Sequence, residues 1–410
     1  MLSSFNTAHD SSLKLGYITP VLAYSSNGRI YMQAASGRVA DELARRYDKV
    51  YVCTRVAFER PPEPADLPLQ SSNIELIAQP HWGSTAASLL EIVGISRAYL
   101  QTCRRADVLF VRGMCPYIAI LYLLAFLFRR PICHWIVGNP VAVLHSSTRK
   151  GKWLDGFALC YALQDRAFSR LGRWLTNGSF VCNGEELARA YRSPRTTSVV
   201  SSTIQEWEFF VRADTCRDEK VRILFVGYIR PEKGIEYLLE AAGRLDLKLP
   251  WELEIVGPSQ FAKYREELEQ LAASLCIADR LRWTGYVSYG VPLFERMRNA
   301  DIFVLPTLSE GTPHVLVEAR AHGLPCISTT VGGVPNTVRH GYDALLVTPR
   351  NPKALSRAME RIIYDGKLRR TLIRNGFAAA RKQTLDHFVA KVHRELESQA
   401  KTAGAAVPQA

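Results

Sequence analysis

Two doubly wound α/β units in tandem are the fold class this sequence predicts. Three observations lead there. A length of 410 residues exceeds one ordinary core. Apolar strand-like runs alternate with helical periodicity in both halves, and a polar junction around Gln205 to Lys220 separates the two cycles. The predicted division is 1–205 for a first parallel-sheet unit and 206–384 for a second. Residues 385–410 form a terminal helix that packs back on the first unit, plus a disordered tail. A hydrophobic share of 47% against 22% charged residues fits folded globular units and excludes a disordered or fibrous chain.

In the first unit, Leu13–Ile18 reads as a strand, Ser25–Gly28 as a turn-rich loop, and Ala34–Arg46 as an amphipathic helix. Strands follow at Lys49–Cys53, Val108–Val111 and Ile132–Val137. The second cycle opens with the buried strand Arg222–Val226, a glycine loop and a helix over Gly234–Leu245. Strands at Glu252–Val256, Leu281–Thr284, Ile302–Leu305, Cys326–Ser328 and Ala344–Val347 complete it. Leu385, Phe388, Val389, Val392 and Leu396 keep near-helical spacing over Thr384–Ser398, and beyond Gln399 the composition offers nothing to bury. In such sheets binding loops gather at the carboxyl ends of the strands.

Fifty-two basic against 39 acidic side chains give a net charge of +13, which favours anionic partners at long range. No zinc-finger spacing, basic heptad helix or aromatic RNA-binding motif accompanies the charge, so nucleic acid is not an expected partner. Nine cysteines stand singly with no C-x-x-C pair, which points to reduced thiols and a cytoplasmic setting. Met1–Ser12 lacks the charged-then-apolar order of a secretory signal. The apolar run Tyr117–Phe128, followed by Arg129-Arg130-Pro131, falls short of the ~20 residues that span a bilayer. It reads as a buried helix, with a shallow peripheral contact at the inner face of a membrane as the second reading.

The strongest local signal is Pro306-Thr-Leu-Ser-Glu310-Gly311-Thr312-Pro313-His314-Val315-Leu316-Val-Glu318-Ala319 after an apolar strand. Thr312 is expected to cap a helix with Pro313 in its first turn, leaving N–H groups of 314 to 316 to point outward. Such a terminus favours phosphate through unsatisfied donors and the macrodipole. Glu310 before the helix and Glu318 inside it can each accept hydrogen bonds from vicinal hydroxyls, which suits a hexose and a ribose flanking a diphosphate. The second signal is Phe225-Val226-Gly227-Tyr228-Ile229-Arg230-Pro231-Glu232-Lys233-Gly234, in which Arg230 and Lys233 can neutralise a leaving diphosphate without a metal ion. Solvated loop charges are the plainer reading of the same two side chains. His314 either lines the donor pocket or covers the helix end.

These residues carry a resemblance. The Glu310-x7-Glu318 pair, the Gly227–Gly234 loop, Gly285 after its strand, and Val331-Gly332-Gly333-Val334-Pro335 followed by Gly341–Val347 together resemble family 4 retaining glycosyltransferases. The resemblance is close over 221–385 and faint before it. It implies the GT-B fold, two Rossmann-like domains facing a central cleft, with acceptor binding in the first and a UDP- or GDP-type sugar donor in the second. It further implies Glu310 on the donor sugar, Glu318 on the ribose, Lys233 with Arg230 on the diphosphate, and backbone help from Val315 and Leu316. Loops at Gly257 and Gly285 would meet the donor base. Transfer would go with retention to a saccharide or lipid-linked acceptor, as in polysaccharide assembly, the leaving phosphate taking the acceptor's proton. No cofactor or metal is then needed.

The chain departs from that pattern in places. Tyr228 stands where the family usually has arginine, so Arg230 takes that duty by reach, and Asn336 stands where many relatives have glutamate. In the first unit the comparable stretch is Cys133-His134-Trp135-Ile136-Val137-Gly138-Asn139-Pro140, with His134 inside the strand; it is either a packed core histidine or catalytic. Gly138 and Asn139 at the tip are better placed to touch substrate, and Gly28 to let the acceptor approach. A dinucleotide oxidoreductase lacks its G-x-G-x-x-G here, and a P-loop enzyme its G-x-x-x-x-G-K-[ST]. A sugar-nucleotide epimerase on the same fold and a non-catalytic nucleotide-sugar binder are the remaining alternatives.

Overall fold

The computed structural model describes residues 11–63, 65–83, 87–138 and 152–402, with backbone alone at 11 and 152–162. The described residues form two compact units, with 11–138, 152–199 and 385–402 in one and 200–384 in the other.

In the first unit, β1 (Ser11–Ile18) pairs in parallel with β4 (Tyr47–Ala57) on one side and β7 (Val108–Arg112) on the other. The sheet extends through β6 (Ile74–Gln79) beyond β4, and through β8 (Ile132–Ile136), β9 (Ser179–Asn183) and β10 (Thr196–Val199) beyond β7. Strands β8 and β9 are buried at every position, as a sheet covered on both faces requires. Strand β9 is Ser179-Phe-Val-Cys-Asn183, polar at both ends, which is why it escaped the sequence reading.

The turn-rich Ser25–Gly28 stretch is a hairpin rather than a loop. Strands β2 (Ala23–Ser26) and β3 (Arg29–Met32) pair antiparallel. Asn27 and Gly28 join them with φ of 50° and 71°, the left-handed pair that a two-residue turn demands. The short β5 (Leu67–Pro68) pairs with β3.

Helices α1 (Ala34–Ala44), α2 (Ile92–Arg105), α3 (Ile118–Leu127), α4 (Lys152–Thr176) and α5 (Glu185–Ala190) complete the first unit's run. The apolar Tyr117–Phe128 run is therefore α3, and no described helix is long and apolar enough to cross a membrane. The C-terminal helix Leu385–Thr402 buries Leu385, Phe388, Val389, Val392 and Leu396 in this unit's core, with the Phe388 ring 4.7 Å from Trp135. It outruns the expected end at Ser398. Ala400, one turn after Leu396, continues the buried stripe, and Gln399 donates to Ser179 Oγ at 2.5 Å.

The second unit holds six parallel strands in the order β13-β12-β11-β14-β15-β16. They are β11 (Val221–Val226), β12 (Trp251–Val256), β13 (Leu281–Gly285), β14 (Ile302–Leu305), β15 (Cys326–Thr329) and β16 (Leu345–Val347). Its helices are α6 (Ile235–Ala242), α7 (Ala262–Ser274), α8 (Val291–Asn299), α9 (His314–Ala321), α10 (Val334–Thr337), α11 (Pro352–Tyr364) and α12 (Gly366–Ala380). The order reverses between β11 and β14, which opens a crevice at the carboxyl ends of those two strands.

The junction read as polar is anchored to this unit by buried charge. Arg212 donates to the carbonyls of Met297, Arg298, Ala300, His322 and Gly323, the ends of α8 and α9, at 2.9–3.2 Å. Burial lowers its pKa to about 10, so it stays charged at neutral pH. Asp214 pairs with Arg369 of α12 at 2.7 Å, and Asp301 accepts the backbone N–H groups of Cys216 and Arg222. Arg320 and Asp343 form a fully buried pair at 3.0 Å.

On α4, burial raises the Asp165 carboxyl from 3.8 to about 7. Between those values the folded chain holds a proton that the unfolded chain has released, so stability falls as pH rises across that window. Asp165→Asn is expected to raise the melting temperature at pH 8 and to lose most of that advantage at pH 5, read from paired thermal melts of variant and parent.

Candidate functional site

The crevice between β11 and β14 is built by backbone approaching backbone. After β11, the loop is tied to the neighbouring β12 loop, Gly227 N–H donating to Val256 O at 2.9 Å and Ile229 N–H to Pro258 O at 3.0 Å. Gly257 N–H in turn donates to Gly285 O at 2.7 Å, so the three glycines close the ends of three adjacent strands. Across the crevice, Leu308 N–H and Thr307 Oγ1 both donate to Glu232 O, at 2.8 and 3.1 Å. Gly234 sits where a Cβ would lie 2.4 Å from Pro306 O, at a φ of +64°, so both space and conformation require glycine.

Lys233 emerges from this clamp. Its Nζ lies 2.5 Å from Glu310 Oε2, with only 11% and 15% of the two side chains exposed. Thr307 Oγ1 stands 3.3 Å from the same carboxylate oxygen. The two residues singled out on separate motifs thus meet as one half-sealed ion pair across the switch point. Glu310 is positioned from beneath by the Val331-Gly332-Gly333 loop after β15: Gly333 N–H donates to Glu310 O at 3.0 Å. A Cβ on Gly333 would stand 1.8 Å from Gly311 O. The glycine pair is there because two backbones touch.

Arg230 stays apart from the pair. Its guanidinium lies over the Tyr228 ring at 5.8 Å, and its Nε faces Glu232 Oε2 at 3.9 Å. Helix α9 begins at His314 with Pro313 as its N-cap, one residue later than the expected Thr312 cap, and no side chain caps it. The fixed φ of Pro313, −77°, already aims the chain into the helix. Of the expected outward N–H groups, that of Leu316 donates to Pro313 O at 3.0 Å and is spent; Val315 is half-buried and Leu316 buried.

Glu318 is buried and accepts a hydrogen bond from Thr203 Oγ1, and His314 Nε2 meets Ser201 Oγ at 2.8 Å. Sequence reasoning missed Ser201, Thr203 and Thr307. The run Ser201-Ser202-Thr203 is polar yet almost wholly buried, and nothing in its composition told it apart from a linker.

The first unit's candidates fall differently. His134 is 1% exposed; its Nε2–H donates to Gly113 O at 2.8 Å and its Nδ1 accepts from Tyr122 Oη at 3.0 Å. Burial lowers its pKa to about 4, so it is a neutral core histidine with both nitrogens engaged. Gly28 is the exposed tip of the β2–β3 hairpin, and its positive φ is accounted for by the turn. Gly138 is exposed after β8, and Asn139 lies outside the described residues.

Residues 208–379 match the family model "Glycosyl transferases group 1". The matched stretch lies within the second unit. Among sequence relatives, an uncharacterized glycosyltransferase of Methanocaldococcus jannaschii is 29% identical over 203 residues, covering 47% of this chain and 51% of that protein. The D-inositol 3-phosphate glycosyltransferase of Geodermatophilus obscurus is 35% identical over 203 residues, covering 47% and 44%. The chain thus spans about half the length of these relatives. Among solved structures, sucrose-phosphate synthase from Thermosynechococcus elongatus superposes with a TM-score of 0.70 at 18% identity, over 96% of this chain and 100% of that one. Anabaena HepE in complex with UDP and glucose gives 0.68 at 17%, over 94% and 100%. The fold is GT-B, with two parallel-sheet α/β units.

Gly333→Ala is expected to destabilise the second unit by roughly 1–3 kcal/mol, because the new methyl meets backbone that cannot yield. Gly83→Ala, where a Cβ meets nothing within 4 Å, is the matched control in the same denaturant titration.

Proposed function

We propose that this protein is a glycosyltransferase. It moves a sugar from a nucleotide-diphosphate donor to a saccharide or lipid-linked acceptor, with retention and without a metal ion. The observation that carries the reading is the Lys233–Glu310 pair at the switch point of a domain matched by the group 1 model. An incoming diphosphate competes with Glu310 for the Lys233 ammonium. Once released, the Glu310 carboxylate accepts hydrogen bonds from donor hydroxyls, so one exchange prepares both contacts.

Arg230, whose Nε lies 3.9 Å from Glu232 Oε2, supplies the second cation toward the leaving phosphate by exchanging that carboxylate for it. Glu318 receives the ribose hydroxyls in place of, or beside, Thr203. A UDP-type donor is favoured by the likeness to HepE, whose complexes hold UDP, UDP with glucose and UDP-glucose. In the retaining course, the departing phosphate oxygen takes the acceptor's proton on the face where the new bond forms, and no protein base is called for.

A thermal-shift screen over UDP-, GDP- and ADP-sugars reads donor choice directly, because a ligand bound only by the folded state raises the melting temperature. A flat response to every sugar nucleotide would end the proposal. Lys233→Ala and Glu318→Ala should each weaken donor binding by about 1.5–3 kcal/mol, with Glu318→Gln retaining the Thr203 hydrogen bond and losing less. Transfer measured by product analysis should survive EDTA and require an acceptor. An acceptor-independent change of sugar configuration would instead identify an epimerase.

A further inference from the structure

Helix α4 is amphipathic in the inverted sense. Over 163–176, Leu163, Ala167, Phe168, Leu171, Trp174 and Leu175 fall within one arc of the helical wheel. All six are exposed, with Leu163 at 51%, Leu171 at 52% and Trp174 at 69%. The opposite side holds Asp165, Ser169 and Gly172, and it is the side turned inward. Gly172 packs so close to the Tyr122 ring of α3 that a Cβ would stand 2.2 Å from it. A solvated helix would bury its leucines and expose its aspartate. Helix α3 adds Leu123, Phe126 and Leu127, exposed by 55%, 48% and 63%, and the exposed Arg129 follows its C-terminus.

We propose that the first unit docks on the surface of an anionic lipid bilayer through the apolar arc of α4, with α3 beside it. The charge pattern selects this occupant. Arg166, Arg170 and Arg173 line one flank of the arc, and Arg166 and Arg170 are held there by donating to Ala190 O. The single carboxylate of the 163–176 stretch, Asp165, faces inward. A second copy seated on this face would bring arginine flanks together with no carboxylate to meet them. Anionic headgroups meet them, while leucines enter the acyl boundary and Trp174 sits at the level where an indole is half apolar and half wet. No described helix can cross a membrane, so the contact lies along the surface. This goes beyond the transfer reaction and does not depend on it.

The test is cosedimentation of the full chain, without sugar nucleotide, with vesicles of phosphatidylcholine alone or mixed with phosphatidylglycerol. Binding is expected to the anionic vesicles, to weaken in high salt, and to fall about tenfold for Leu171→Ser/Trp174→Ser. Arg170→Glu should weaken it about fivefold. All these side chains are exposed, so unchanged thermal melts verify folding. Absence of binding to both vesicle types overturns the proposal, as does binding indifferent to both variants. A dimer in sedimentation velocity that Leu171→Ser/Trp174→Ser dissolves, with no vesicle binding, overturns it in favour of self-association.

Discussion

The second unit depends on how closely two loops can approach at the carboxyl ends of parallel strands. A crevice at a topological switch point forms only if the segments leaving β11 and β14 run side by side. Here they are in backbone contact at Gly234 and Pro306, with a third layer at Gly332-Gly333 beneath Glu310. Hydrogen bonds between main chains, with one from Thr307 Oγ1, then fix the loops, which leaves Lys233 and Glu310 free to face one another. The rigidity of the site comes from what these positions lack.

Much of this was legible beforehand, and the reason is physical. Largely buried strands such as β11 and β14 read as apolar runs, and β11 through β16 lie within a residue or two of their expected bounds. Glycine motifs and the two glutamates marked the loops that meet. Strand β9 carries polar Ser179 and Asn183 at its ends, and the β2–β3 hairpin consists of two four-residue strands about the Asn27-Gly28 turn, so neither stands out as an apolar run. The partners Ser201 and Thr203 were lost for another reason: their role comes from distant chain folding over α9, and no local pattern encodes it.

The basic composition also resolves into distinct duties. A net charge of +13 invites a single explanation in terms of anionic partners. Part of it is internal, with Arg320 paired to Asp343 and Arg369 to Asp214 out of solvent, where each pair ties a helix to a loop rather than holding a ligand. Part flanks apolar side chains on α4, and Lys233 serves the crevice. Long-range attraction is left to the remainder, spread over exposed faces.

Arg212 carries a consequence for how this stretch of chain tolerates change. Its planar group has five N–H bonds, and five main-chain oxygens from two helix ends surround it. Lysine would keep the charge but bring three donors on a single atom, unable to span both helices at once. The exchange that seems mildest by chemical class would therefore untie α8 from α9, and with α9 the seat of Glu318.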